Sequence, residues 1–255
     1  MQYEKHKNAK KILTEIDKSP QNYLIIHYSC ESFYNIIDGH TPRITSIAVY
    51  SFHSAQTDSF SIHKSAEKKH LKLNEIDNKY DELEFSMLKE FFNFVKEHKN
   101  FIWIHWNMRD INYGFQAIEH RFEVLGGKPV HVENQNKIDL ARLLISYYGV
   151  NYIGHPRMES LIELNHISAK DYLNGQAEAD AFEKKDYINL HRSTLRKVDV
   201  FSNIINKVLN NTLIVKSKWK DKYGISIQSC FEVISKKWWW SIVILFLGAL
   251  IGKIF

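Results

Sequence analysis

Cysteine is almost missing from this chain: of 255 residues only Cys30 and Cys230 carry thiols, and they lie far apart in sequence. That scarcity rules out a disulfide framework and a cysteine-based zinc site, and it fits a reducing compartment. Internal repeats and low-complexity tracts are also missing. The polar, basic stretch from Met1 to Lys11 contains no apolar run of signal-peptide length, so export of the domain is not expected. Charge of one sign is in mild excess, +5 overall, but unevenly spread: Lys216, Lys218, Lys220 and Lys222 fall close together near the C-terminal end. Such a stretch attracts anionic lipid headgroups, and it also suits nucleic acid.

What the chain does have is one long apolar run, Trp238 to Phe255, directly behind Lys236 and Lys237. Eighteen helical residues span about 27 Å, close to the hydrocarbon thickness of a bilayer. The lone charge in the run, Lys253, is near enough to the end to snorkel. Trp238, Trp239 and Trp240 suit the headgroup level, and the preceding lysines favour a cytoplasmic flank. The expectation is a single-pass C-terminal anchor holding a cytoplasmic domain. Gly248 and Gly252 add a small-xxx-small spacing, so a homodimer through this helix is a further expectation.

Periodicity divides the rest. Residues 1–20 read as an amphipathic helix or arm, 21–211 as one domain, 212–237 as a basic juxtamembrane stalk and 238–255 as the membrane helix. Within the domain, Tyr23 to Tyr28 reads as a buried strand. Residues 44–52 and 58–63 alternate as two more, joined near Ser54-Ala55-Gln56. Leu83, Met87, Leu88, Phe91, Phe92 and Val95 recur at helical spacing over 82–98, and Phe101 to His105 reads as a fourth strand. A helix from Ile111 to Leu125 stops at Gly126-Gly127, a short strand is expected over Val130–Val132, and helices over 138–148, 157–166 and 177–209.

Three antiparallel-type strands followed by alternating helices and strands is the order of an α/β ribonuclease-H-like mixed sheet. Local sequence at three points resembles the DEDD superfamily of 3′-to-5′ exonucleases, in the branch with a histidine in its third motif. The first strand ends in Ser29-Cys30-Glu31, similar to that family's Asp-x-Glu with serine for aspartate. FIWIHWNMRD, from Phe101 to Asp110, resembles the second motif, and Lys137 to Arg142, containing Asp139, resembles the segment leading into the next helix. GQAEADA, from Gly175 to Ala181, resembles the third motif with glycine for histidine. The resemblance implies Glu31, Asp110 and Asp180 as catalytic ligands of Mg²⁺ or Mn²⁺, with Ser29, His105 and Asp139 in support.

Two-metal phosphodiester hydrolysis needs carboxylates converging from different elements on ions about 4 Å apart. Serine at 29 removes the charge that offsets the repulsion between the ions, and glycine at 175 cannot act as a base. His155, His166 and Asp139 are the groups left to fold back and help. Each acid also has a structural role open to it: Glu31 capping a turn, Asp110 and Asp139 as helix N-caps, Asp180 solvated or ion-paired, His105 packed at a strand end. Two functions follow as expectations. One is a membrane-anchored, metal-dependent nuclease; the other is a degenerate nuclease-like domain that binds nucleic acid or protein at the membrane.

Overall fold

The computed structural model describes residues 2–32, 41–224, 231, 234, 235 and 239–251. Helix α1 (Gln2–Lys18) carries Tyr3, His6, Ala9, Leu13 and Ile16 on one stripe, and that stripe is buried. Strand β1 (Tyr23–Cys30) is buried almost throughout, as expected of a strand covered on both faces. Strands β2 (Ile44–Ser51) and β3 (Thr57–Ser61) continue the sheet, turning at Ala55, which takes φ 57°.

Ile62 and His63, expected to end the third strand, instead open helix α2 (Ile62–Lys68), which is followed by α3 (Tyr80–Glu97) and strand β4 (Ile102–His105). Helix α4 (Phe115–Val124) ends at Gly126, whose φ of 88° and amide bond to the Glu123 carbonyl close the last turn. Strand β5 (Lys137–Asp139), helices α5 (Leu140–Tyr148), α6 (Arg157–Leu164), α7 (Gly175–Glu183), α8 (Tyr187–Leu209) and α9 (Trp219–Tyr223), and the apolar α10 (Trp240–Ile251) complete the order.

The strand order is β3-β2-β1-β4-β5, with the β3-β2-β1 side antiparallel and β1, β4 and β5 parallel. This mixed α/β sheet is compatible with a ribonuclease-H-like fold. Alternation along β1 divides the core. Tyr23 and Ile25 join α1, α5 and α8 on one face, while Leu24, Ile26 and Tyr28 join α3 and α4 on the other. All three parallel strands end at one edge, where a crevice forms beyond their carboxyl ends.

Four expected boundaries are corrected. Val130–Val132 lies outside any strand: Val132 is buried against the α3–α4 face, and the fifth strand is Lys137–Asp139, with Ile138 opposite Ile104. The expected helix at 138 therefore starts at Leu140, with Asp139 as its N-cap accepting from the Ala141 amide at 3.0 Å. The helix expected from Ile111 starts at Phe115, because Gly114 approaches the Met108 carbonyl closely; an added Cβ would stand 2.9 Å from it. The single helix expected over 177–209 is broken at Lys185, φ 59°, and restarted by Asp186, whose side chain accepts from the Asn189 amide.

Residues after α8 return to the body. The Lys216 amide donates to the Tyr152 carbonyl at 2.8 Å, and Gly149, at φ 90°, comes so near Asp221 that a Cβ would lie 2.2 Å from its carbonyl. Of the apolar C-terminal run, Trp239 and Trp240 are described at the start of α10 and Gly248 within it, whereas Trp238, Gly252, Lys236 and Lys237 lie outside the described residues. Twelve helical residues reach about 18 Å. Among the described residues no helix is long and apolar enough to cross a membrane.

Candidate functional site

The carboxyl end of β1 places Ser29 against α7 and α8. Its hydroxyl donates to Glu178 Oε1 at 3.0 Å and lies 2.8 Å from Thr194 Oγ1, which is 2.6 Å from Ser46 Oγ. Ser193 Oγ also donates to Glu178 Oε1, at 3.0 Å. The second oxygen of Glu178 holds the Lys197 ammonium at 2.7 Å, with both side chains largely buried. Ser29, Ser193, Thr194, Glu178 and Lys197 thus satisfy one another, as burial demands.

The expected acids are distributed differently. Glu31, just past β1, binds the start of β2 through its backbone amide to the Arg43 carbonyl at 2.8 Å, and its side chain accepts from the Arg43 amide at 3.3 Å. Asp110 is exposed in the turn before Gly114, where its carboxylate accepts from the Asn112 amide at 2.9 Å; it is not a helix N-cap. Asp180 is exposed on α7 and accepts from Gln176 at 2.8 Å. Asp139 caps α5 and forms an ion pair with Arg109. Gly175 begins α7. His155 lies exposed at the rim of a neighbouring cleft, and His166 is exposed after α6.

A metal pair requires several carboxylates facing one point. Here the carboxylate that reaches Ser29 is that of Glu178, which already holds a lysine. Among the described residues no three His, Cys, Asp or Glu side chains gather into a group that could hold a metal. The side chains present do not fit the Mg²⁺ or Mn²⁺ pair that the resemblance implies.

Beside the Ser29–Glu178–Lys197 network lies a cleft of about 590 Å³ between the ends of β1 and β4, the start of α5, and α6 and α8. Trp106 and Tyr172 give it aromatic walls, and Arg109, Arg142 and Arg157 give it positive charge against Glu159, the one acid among the described residues of its lining. The Trp106 ring is backed by Phe201 at 5.9 Å and Tyr113 is stacked on Tyr28 at 4.7 Å, so these faces are held in place. Two buried nitrogens at the cleft, His27 Nε2 and Arg157 Nε, have no protein partner among the described residues. Burial, followed by the nearby Lys197 charge, holds the His27 imidazole neutral well below its ordinary range. Nucleophilic chemistry is not offered by Cys30 next door, because burial pushes its thiol up to about 12.

His105 ends β4 as a packed histidine. Its Nδ1 accepts from the Met108 amide at 3.1 Å, its ring lies edge-on to Phe115 at 5.7 Å, and burial lowers its pKa from 6.5 to about 4. The unfolded chain takes up this proton below pH 6.5, whereas the folded chain takes it up only near pH 4. Stability therefore falls as the pH drops between those values, by on the order of 2 kcal/mol from this residue. Urea unfolding at pH 7 and pH 4.5 should show a smaller loss in His105→Gln than in the parent chain.

Glu178, Lys197, Trp106, Arg142 and Arg157 were not singled out from sequence. The signal for Glu178 was present: Ala181 and Phe182 are the buried residues of α7, and Glu178 precedes them by three and four, on the same face, while Asp180 does not. Lys197 falls among the buried positions of α8, where a lysine needs a partner. Comparison with protein-family models, with curated proteins and with solved structures finds no match for this chain.

Proposed function

We propose that this is a nuclease-like domain without two-metal hydrolysis, which holds a single-stranded nucleic-acid end in the cleft between β4 and α8 while its apolar C-terminal segment anchors it to a membrane. The observation that carries the reading is the Ser29–Glu178–Lys197 network, where a buried ammonium neutralises the carboxylate at the strand end. Arg142 and Arg157 at the cleft supply charge for phosphate, and Trp106 supplies a ring on which a base can stack. Each stacked base contributes about 1–3 kcal/mol in single-strand binding. The test is fluorescence polarisation of labelled single strands with the full chain. Trp106→Ala should weaken binding by roughly tenfold at unchanged salt dependence. Arg142→Gln should weaken it for every sequence and flatten the dependence on salt. Affinity indifferent to both substitutions would sink the cleft as the binding site.

A further inference from the structure

The lysines expected to line a stalk belong to a folded surface. Helix α9 is fastened to α1 and α5 by Gln2, whose amide donates to the Ser146 carbonyl at 3.1 Å and the Lys222 carbonyl at 3.4 Å. The His6 ring adds to this, stacking on Tyr147 and meeting Tyr223 edge-on, each at 4.7 Å. Around this joint Lys7, Lys10 and Lys11 are exposed on α1, and Lys216, Lys218 and Lys220 are exposed on and before α9. Two large apolar side chains stand exposed in the same stretch, Ile214 at 53% and Trp219 at 45%.

The two sets of lysines share one field. Lys222 lies over the rings of Tyr147, Tyr148 and Tyr223, and its pKa is lowered first by burial and then by the charge of Lys10. Asp221, the acid on α9, is bonded to Asn151 and to the Lys218 amide. Cations interleaved with tryptophan and isoleucine suit the headgroup layer of an anionic bilayer better than a phosphate backbone alone. The chain from Tyr223 to Trp240 extends at most about 60 Å, so this face cannot stray far from the apolar α10.

We infer that α1 and α9 form a single basic face that lies flat on anionic lipid headgroups and fixes the pose of the domain. This rests on the reading that the C-terminal segment enters the bilayer. The cleft opens at the start of α5, beside Ala141 and Arg142, while α9 is packed at the other end of that helix, beside Tyr147 and Tyr148.

The test uses the full chain in nanodiscs of phosphatidylcholine, with and without phosphatidylglycerol, and reads acetylation of individual lysines by mass spectrometry. Lys7, Lys10, Lys11, Lys218 and Lys220 should become several-fold less reactive with phosphatidylglycerol, and high salt should reverse this. In Lys218→Glu/Lys220→Glu the protection of the α1 lysines should also disappear, because one face has been broken. Equal reactivity in both lipids, or protection that follows added oligonucleotide instead of lipid, overturns the inference. Failure to enter neutral nanodiscs would count against the anchor alone. The face is then judged by flotation with phosphatidylglycerol vesicles: salt-sensitive binding lost in the same variant supports it, and no binding overturns it.

Discussion

Arg121→Met should lower the unfolding free energy by about 3–5 kcal/mol, read as a lower urea midpoint at unchanged slope. The guanidinium is buried on α4. Its Nε lies 3.1 and 3.0 Å from the two oxygens of Glu84, and its Nη2 donates to Glu84 at 2.6 Å and to Asp81 at 2.7 Å. Glu84, on α3, is fully buried and also accepts from the Ile44 amide at 2.7 Å, where β2 begins. Burial raises the Glu84 pKa despite the arginine beside it, which marks how costly the carboxylate would be alone. Replacing both partners, as in Glu84→Leu/Arg121→Met, should recover part of the loss, since apolar groups need no counter-charge. The consequence reaches the candidate site, because the neighbouring Thr45 hydroxyl donates to the Ser29 carbonyl at 3.0 Å.

Lys197→Met should weaken single-strand binding by roughly thirtyfold and cost on the order of 2–3 kcal/mol of stability. Removing the ammonium leaves the Glu178 carboxylate, bonded to Ser29 and Ser193, without its counter-ion at the wall of the cleft. The local charge falls from neutral to negative, so an incoming phosphate is repelled. Adding Glu178→Gln to that variant separates the two effects. Stability should largely return, because no charge is left unpaired, and binding should return only in part. Denaturant unfolding and fluorescence polarisation on the parent, both single variants and the double variant make the comparison.

The central sheet was legible in the sequence because its strands carry short apolar runs, Tyr23 to Ile26 in β1 and Ile47 to Tyr50 in β2. Helix α3 was legible by its spacing: Leu83, Met87, Leu88, Phe91, Phe92 and Val95 all face the sheet or its neighbours. Strand β5 was not, since Lys137-Ile138-Asp139 has no pattern of its own and is a strand only through its pairing with β4. Neither was the break between α7 and α8, where Lys184-Lys185-Asp186 contains no glycine or proline and the reversal depends on one lysine with φ 59°. At the candidate site, Ser29 was legible as the place where charge is missing. Its answer was not, because Glu178 and Lys197 are distant in sequence and meet only when α7 and α8 fold back over β1.

Each of the three expected ligands has its own partner, and Glu31 also lines one pocket with Ser29 and Glu178. Glu31 is drawn to Arg43 at the start of β2, Asp110 closes a turn on Asn112, and Asp180 points outward along α7. Among the described residues no three His, Cys, Asp or Glu side chains gather into a group that could hold a metal.

The most direct test incubates the full chain with end-labelled single strands in Mn²⁺, in Mg²⁺ and in EDTA, and follows binding and strand length together. Binding of similar affinity in all three, with strand length unchanged, is the result expected of a domain in which Lys197 neutralises the site. Metal-dependent shortening of the strand that disappears in Glu31→Gln/Asp110→Asn would contradict it.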